Sequence, residues 1–163
     1  MDGHIKRQTD HGMDVYGQCP DYEALRDYGD RISQIGLFSF KVRATGEIYE
    51  SGVAISDMLT YINKWPHIKW LLTVANDGAN SIFRALRDNT NGAQEMFLSE
   101  IIRIMEKYPW CDGIDIDLER GDGYSTHAAS TAMFQNIYNT VKNYDATKHM
   151  NICLPGMTSV TAA

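Results

Sequence analysis

Short apolar runs alternate along the chain with longer segments whose apolar residues recur at helical spacing. This alternation is typical of β/α units built on a parallel sheet. The pattern predicts five strands, at residues 13–17, 35–42, 69–75, 112–119 and 151–155. It predicts helices between them, at residues 21–28, 56–64, 81–87, about 93–108 and 126–143, with a turn or small hairpin over 44–49. The sequence therefore predicts an α/β fold with a parallel sheet.

Two details of the helices follow from local signals. Ser56 or Asp57 is expected to cap the second helix, because side chains of these types accept hydrogen bonds from the first free N–H groups of a helix. The apolar stripes of the two longest helices, which include Met96 and Tyr138, are expected to face the core.

The strand at residues 112–119 has the most informative pattern, Asp-Gly-Ile-Asp-Ile-Asp-Leu-Glu. Its alternation puts Asp115, Asp117 and Glu119 on one face and apolar side chains on the other. Three carboxylates in a row repel one another, and a purely structural strand gains nothing from that repulsion. A solvated polar face is the alternative, but such faces usually mix charges of both signs. The row therefore favours acid catalysis or metal binding.

Composition excludes few function classes. The net charge of −6 argues weakly against a nucleic-acid partner. No apolar run approaches the roughly 20 residues of a membrane span, so no membrane partner is expected. The three cysteines lie far apart and form no CxxC pair, and the five histidines are scattered, so neither a disulfide framework nor a zinc site is expected. Residues 1–12 are polar and are expected to be disordered or extraneous to a single domain at 13–163.

The acid stretch, together with its flanking elements, resembles the complete DGxDxDxE signature of family-18 glycoside hydrolases, the chitinases and endo-β-N-acetylglucosaminidases. The resemblance implies a (β/α)8 barrel that carries this motif on its fourth strand. Such a barrel typically needs about 250 residues, whereas the chain has 163. We therefore expect a partial barrel with about five β/α units, whose open sheet edges could pair with another copy.

The resemblance also implies a mechanism and a substrate. Family 18 uses substrate-assisted retention, in which the 2-acetamido group of the substrate attacks the anomeric carbon. Glu119 would be the general acid and base, Asp117 would orient the acetamido group, and Asp115 would share a proton with Asp117. The expected partner is a glycan containing N-acetylglucosamine, such as chitin, a peptidoglycan-like polymer or an N-glycan. No cofactor is expected, and an extracellular, virion or cell-surface location is compatible with such a substrate.

The third strand departs from the pattern of the family. Its usual end, S-x-G-G, corresponds to Thr-Val-Ala-Asn at residues 73–76, so both glycines are replaced. Because of this departure, the family pattern does not predict the shape of the substrate cleft. Asp112 and Gly113 are interpreted as structural, with Gly113 leaving room in the barrel interior.

Four residues are candidates for substrate binding, each with a structural alternative. Tyr16 could stack on a sugar, and Phe40 belongs to a strand that resembles the inward aromatic strand of the family, although core packing explains it equally well. Asn76 and Asp77 could bind sugar hydroxyls or simply form a turn.

Two other functions remain alternatives. One is a catalytically weak or inactive chitinase-like carbohydrate-binding protein, for example an adhesin or a phage tail component. Retention of Glu119 counts against it, because non-catalytic relatives typically lose that residue. The other is a Ca²⁺ or Mg²⁺ site formed by the three acids. One straight strand cannot wrap a cation, and the spacing lacks the glycine of a calcium-binding loop, so the hydrolase is favoured.

Overall fold

The computed structural model describes residues 16–18, 22–52, 54–119 and 127–153, without the side chains of 16–18, 22–24 and 127. The elements, in chain order, are β1 (Tyr16–Gln18), α1 (Tyr22–Tyr28), β2 (Gln34–Val42), β3 (Ile48–Glu50), α2 (Ile55–Lys64), β4 (Lys69–Ala75), α3 (Asn80–Arg87), α4 (Ala93–Lys107), β5 (Gly113–Asp117), α5 (His127–Tyr144) and β6 (His149–Ile152). Short 3-10 turns follow α1 and precede α4. Each predicted strand and helix overlaps one that the structure contains. Residues 13–15, 21, 126, 154 and 155 of these predictions lie outside the described part of the chain.

The strands form one sheet in the order β1-β2-β4-β5-β6. All neighbours along this path are parallel, and β3 is an antiparallel hairpin partner of β2. The predicted parallel α/β sheet is confirmed. Within the described residues, β1 and β6 lie at opposite edges of the sheet and do not pair with each other.

Apolar side chains cover one face of this sheet. Alternate residues of β2, β4 and β5 on that face pack against α3, α4 and α5 in one cluster and against α1 and α2 in another. Among the largest fully buried side chains are Leu37, Leu72, Phe83, Phe97, Ile101, Ile104, Ile114 and Ile116. The helices therefore lie on one face of the sheet, as in the outer layer of a barrel. The opposite face carries the acids of β5 together with Phe38, Leu71 and Thr73.

Three local predictions about the helices are wrong. Helix α2 begins at Ile55 after Ala54, without a side-chain cap, and Ser56 donates to Asp57 at 3.3 Å instead. Both polar residues lie inside the first turn because the helix starts earlier than predicted. Met96 and Tyr138 point to solvent, with 44% and 47% of their surface exposed. Each lies at the margin of an apolar stripe, where spacing does not separate core from surface.

A β-bulge in β2 decides which of its aromatic residues faces the core. The pairing with β4 passes from Phe38↔Thr73 directly to Phe40↔Val74, which leaves Ser39 as the extra residue. An extra residue reverses the alternation of side chains beyond it. Phe40 consequently lies in the helix-side cluster, 2% exposed, with its ring 5.9 Å from that of Tyr108.

No helix in the described part of the chain is long and apolar enough to cross a membrane.

Candidate active site

Apolar and acidic residues alternate between the two faces of β5, as predicted. The three acids differ in their exposure to solvent. Ile114, Ile116 and Leu118 are buried on the helix side. On the opposite face Asp115 is completely buried, Asp117 is half-buried, and Glu119 is exposed just beyond the end of the strand. The exposure of the carboxylates thus increases along the chain, from the interior of the sheet to the carboxyl ends of the strands. In barrels of this kind that end carries the active site.

Asp115 is held by hydrogen bonds from neighbouring strands. The hydroxyl of Thr73 in β4 donates to its Oδ2 at 2.8 Å, and both residues are fully buried. The Cys153 thiol lies 3.7 Å from its Oδ1, after the end of β6. A buried carboxylate needs such partners to offset the loss of hydration. Thr73 was not predicted as a site residue, although its hydroxyl occupies the position of the serine in the S-x-G-G pattern.

Asp117 has a strongly raised pKa. Burial raises its pKa from 3.8 to about 6, with further contributions from the negative charges of Glu119, Asp115 and Asp77. Its Oδ1 is buried without a hydrogen-bond partner among the described residues. A carboxyl that gains and loses a proton near neutral pH suits acid–base chemistry or control of a neighbouring charge.

Asn76 connects the end of β4 to Glu119. The Glu119 N–H donates to Asn76 Oδ1 at 2.9 Å, and Asn76 Nδ2 donates to the Glu119 carbonyl at 2.7 Å. Within its own turn, Asn76 Oδ1 also accepts from the Gly78 N–H at 3.2 Å, so the turn expected from the sequence is present. The link to Glu119 could not be read from the sequence, because it joins residues 43 positions apart.

A lysine that the sequence did not suggest lies on the same sheet face as the acids. Lys41 pairs in register with Ala75 of β4, which in turn pairs with Asp117. Its Nζ lies 2.6 Å from Asp77 Oδ2, and the carboxylate raises the pKa of Lys41 through this hydrogen bond and its charge. The β2 bulge, which sequence patterning does not predict, turns Lys41 to this face.

The remaining residues singled out from the sequence lie in four different settings. Phe40 faces the helices, so its assignment to substrate binding is corrected to the core-packing alternative. Tyr16 has its backbone in β1, but its side chain lies outside the described part of the structure. Gly113 has another role than predicted: a Cβ there would overlap the His149 backbone of β6, so the glycine permits close strand approach and does not leave open space. Asp112 is structural, with its Oδ2 accepting from the Trp70 N–H at 2.8 Å.

In the described ranges no group of three histidine, cysteine, aspartate or glutamate residues is arranged so that it could hold a metal ion.

Solved structures with a similar fold include chitinases and a spore cortex-lytic enzyme. The chitinase of Chromobacterium violaceum superposes with a TM-score of 0.71 at 14% identity, over 84% of this chain and 44% of that one. A chitinase from Bacteroides thetaiotaomicron gives 0.66 at 18% identity, over 84% and 45%. The spore cortex-lytic enzyme SleL of Bacillus cereus gives 0.71 at 15% identity, over 90% and 35%. The sequence itself matches no protein-family model and no curated protein.

These similarities establish the fold. The chain has a family-18 glycoside hydrolase-like fold and spans less than half of the length of each of these three chains, as a partial barrel does. Both the resemblance and the barrel type that the sequence predicted are confirmed at this level.

Proposed function

We propose that this chain supplies the acid-bearing part of a glycoside hydrolase site that cleaves β-1,4 linkages next to N-acetylglucosamine. The observation that carries the proposal is the graded acid row of β5, at the carboxyl end of a strand in a chitinase-like fold. The substrate class is a glycan containing N-acetylglucosamine, in chitin, a peptidoglycan-like polymer or an N-glycan. The chitinases and the cortex-lytic enzyme among the similar structures support this class.

Glu119 acts as the general acid. It is the most exposed member of the row and lies just beyond the end of β5, after Leu118, where a glycosidic oxygen can approach it. Its carboxyl protonates the leaving oxygen, and the resulting carboxylate then accepts a proton from the attacking water.

Asp117 orients the acetamido group of the substrate. An ionised carboxyl accepts a hydrogen bond from the amide N–H, which directs the amide oxygen at the anomeric carbon. As the carbonyl oxygen forms its bond, positive charge develops on the ring that results, and the adjacent carboxylate stabilises that charge. With a pKa of about 6, Asp117 can gain and lose a proton near neutral pH.

Asp115 shares a proton with Asp117 from the buried end of the row. The Thr73 hydrogen bond at 2.8 Å holds one of its oxygens in place. Because a proton on either carboxyl relieves the repulsion between them, the two groups can hold one proton in common. Thr73 therefore supports the chemistry by fixing the geometry of Asp115.

Turnover of a fluorogenic N,N′-diacetylchitobioside by this chain and by Glu119→Gln tests the proposal. We expect release by the wild-type chain and a loss of roughly 10²–10⁴-fold in Glu119→Gln, because the substitution removes the acid without changing size. Glu106→Gln is the matched control, since it makes the same chemical change on the exposed side of α4 and should leave turnover unchanged.

Two results would count against hydrolysis by this site. Equal turnover in Glu119→Gln and wild type would refute the role of Glu119. A wild-type chain that releases nothing but binds chitooligosaccharides would favour the carbohydrate-binding alternative. Isothermal titration with N-acetylglucosamine oligomers distinguishes that alternative from a chain that neither binds nor cuts.

A further inference from the structure

The side chain of Asn76 is almost completely buried, with 2% of the residue exposed. Its amide group makes four hydrogen bonds inside the protein. Two hold the main chain of Glu119, one to the N–H at 2.9 Å and one to the carbonyl at 2.7 Å. The other two hold the turn after β4: the Gly78 N–H donates to Oδ1 at 3.2 Å, and Nδ2 donates to the Ala79 carbonyl at 3.2 Å.

These contacts use the hydrogen-bonding capacity of the group completely. A primary amide offers two N–H donors and an oxygen with two lone pairs. Each of the four positions has a protein partner, so none remains for a sugar hydroxyl. The substrate-binding role that the sequence suggested for Asn76 is therefore replaced by a different one.

We infer that Asn76 is a positioning residue for the general acid, an inference that rests on the proposed function of Glu119. The asparagine holds Glu119 on both sides of its Cα, through the N–H and the carbonyl. The backbone N–H of Asn76 also donates to the Asp117 carbonyl at 3.3 Å, which ties the same residue to the end of β5. The direction in which the Glu119 side chain leaves the backbone is thereby fixed relative to Asp117.

The chemistry explains why this orientation matters. A general acid must lie within hydrogen-bond distance of the oxygen that it protonates. Glu119 lies beyond the last residue of β5, so the regular strand ladder does not hold it. At this point the hydrogen bonds of the Asn76 side chain take the place of hydrogen bonds between strands. Displacement of a catalytic group by about 1 Å can reduce a rate by roughly 100-fold.

Aspartate, alanine and glycine would each lose part or all of this contact. Aspartate keeps the acceptor for the Glu119 N–H but loses the donor to its carbonyl and adds a negative charge to the acid row. Alanine leaves both main-chain groups of Glu119 without this partner. Glycine, which the family pattern places here, also removes the side-chain contact.

The test combines two measurements on the whole chain, for wild type, Asn76→Ala, Asn76→Asp and Asn89→Ala. Asn89 is the matched control, because its side chain also accepts from a main-chain N–H, that of Gln94 at 2.9 Å, and donates to Glu95. The first measurement is hydrogen exchange at the Glu119 amide by NMR. The second is kcat and KM on the fluorogenic chitobioside, with the pH dependence of kcat/KM.

We expect the Glu119 amide to exchange about tenfold faster in Asn76→Ala and to keep its protection in Asn89→Ala. We also expect kcat to fall roughly 10- to 100-fold in Asn76→Ala, with KM within about twofold. In Asn76→Asp the amide stays protected, while the added charge moves the acid limb of the pH profile to higher pH.

Unchanged exchange at Glu119 in Asn76→Ala would overturn the inference, as would an equal loss of kcat in Asn89→Ala. If the wild-type chain shows no turnover but the protection of Glu119 depends on Asn76, the proposed hydrolysis fails and the main-chain contact still stands. The two failures are therefore distinguishable.

Discussion

Replacing Asp117 by asparagine should stabilise the protein at neutral pH, although it removes a residue of the proposed site. Burial and the negative charges of Glu119, Asp115 and Asp77 raise the pKa of Asp117 from 3.8 to about 6. Above pH 6 the folded state therefore contains an ionised carboxyl in an unfavourable position. Asparagine has nearly the same shape and carries no charge, so it removes this cost while filling the same space.

The size and the pH range of the effect follow from linkage between proton binding and folding. Because the pKa is higher in the folded state, the folded state binds more protons between pH 4 and pH 6, and this contribution to stability is lost as the pH rises through about 6. Each tenfold difference in proton affinity corresponds to 1.36 kcal/mol, which gives about 3 kcal/mol at neutral pH. Since Asp117 is only half-buried, solvent screening reduces this to about 1–2 kcal/mol.

Urea unfolding of both proteins at several pH values measures this difference. We expect Asp117→Asn to be more stable than wild type by about 1–2 kcal/mol at pH 7.5, and equal to it below pH 4, where the wild-type carboxyl is already protonated. A loss of stability at pH 7.5, or a gain that does not depend on pH, would refute the reasoning.

Asp145→Asn is a control in which the expected change in the free energy of unfolding has the opposite sign. Asp145 accepts hydrogen bonds from the Thr147 N–H and hydroxyl, which lower its pKa. Its contribution to stability is therefore present above its unfolded-state pKa and is lost as the pH falls. The asparagine variant should be less stable than wild type at pH 7.5, and the difference should disappear in acid.

Two further substitutions test the surroundings of the row. Asp77→Asn removes one of the charges that act on Asp117 and releases Lys41 from its ion pair, so the pKa of Asp117 should fall below about 6 in a carboxyl carbon NMR titration; an unchanged value would contradict the proximity of the two groups. Gly113→Ala places a Cβ against the backbone of His149, and we expect a loss of about 1–3 kcal/mol in urea unfolding. A variant as stable as wild type would show that β6 can shift away without cost.

Periodicity predicted the regular part of the fold. The strand from Lys69 to Ala75 agrees with its predicted bounds, because a continuous apolar run between turn residues has few alternative structures. The alternation in β5 likewise put its carboxylates on one face. The alternation in β5 reports directly which side of the backbone is buried. β4 is buried on both faces and was predicted from its apolar run and its turn boundaries.

Irregular features were the ones that pattern could not predict. A single bulge at Ser39 moved Phe40 to the helices and turned Lys41 towards the acids. Bulges arise from the fit between neighbouring strands, and a sequence read one segment at a time does not contain that information. The contact between Asn76 and Glu119 was missed for the same reason, since it joins two strand ends that are distant along the chain.

The departure at the end of β4 now has a physical interpretation. A glycine at position 76 would leave the main chain of Glu119 without a side-chain partner, whereas Asn76 fills this place and bonds both main-chain groups. The asparagine at this position therefore need not weaken the site, because its side chain adds a rigid connection where regular β-structure has ended. On the proposed function, the general acid of this chain has a support that the family pattern lacks. Asn76→Ala should therefore lower the free energy of unfolding as well as kcat, because it also removes four buried hydrogen bonds.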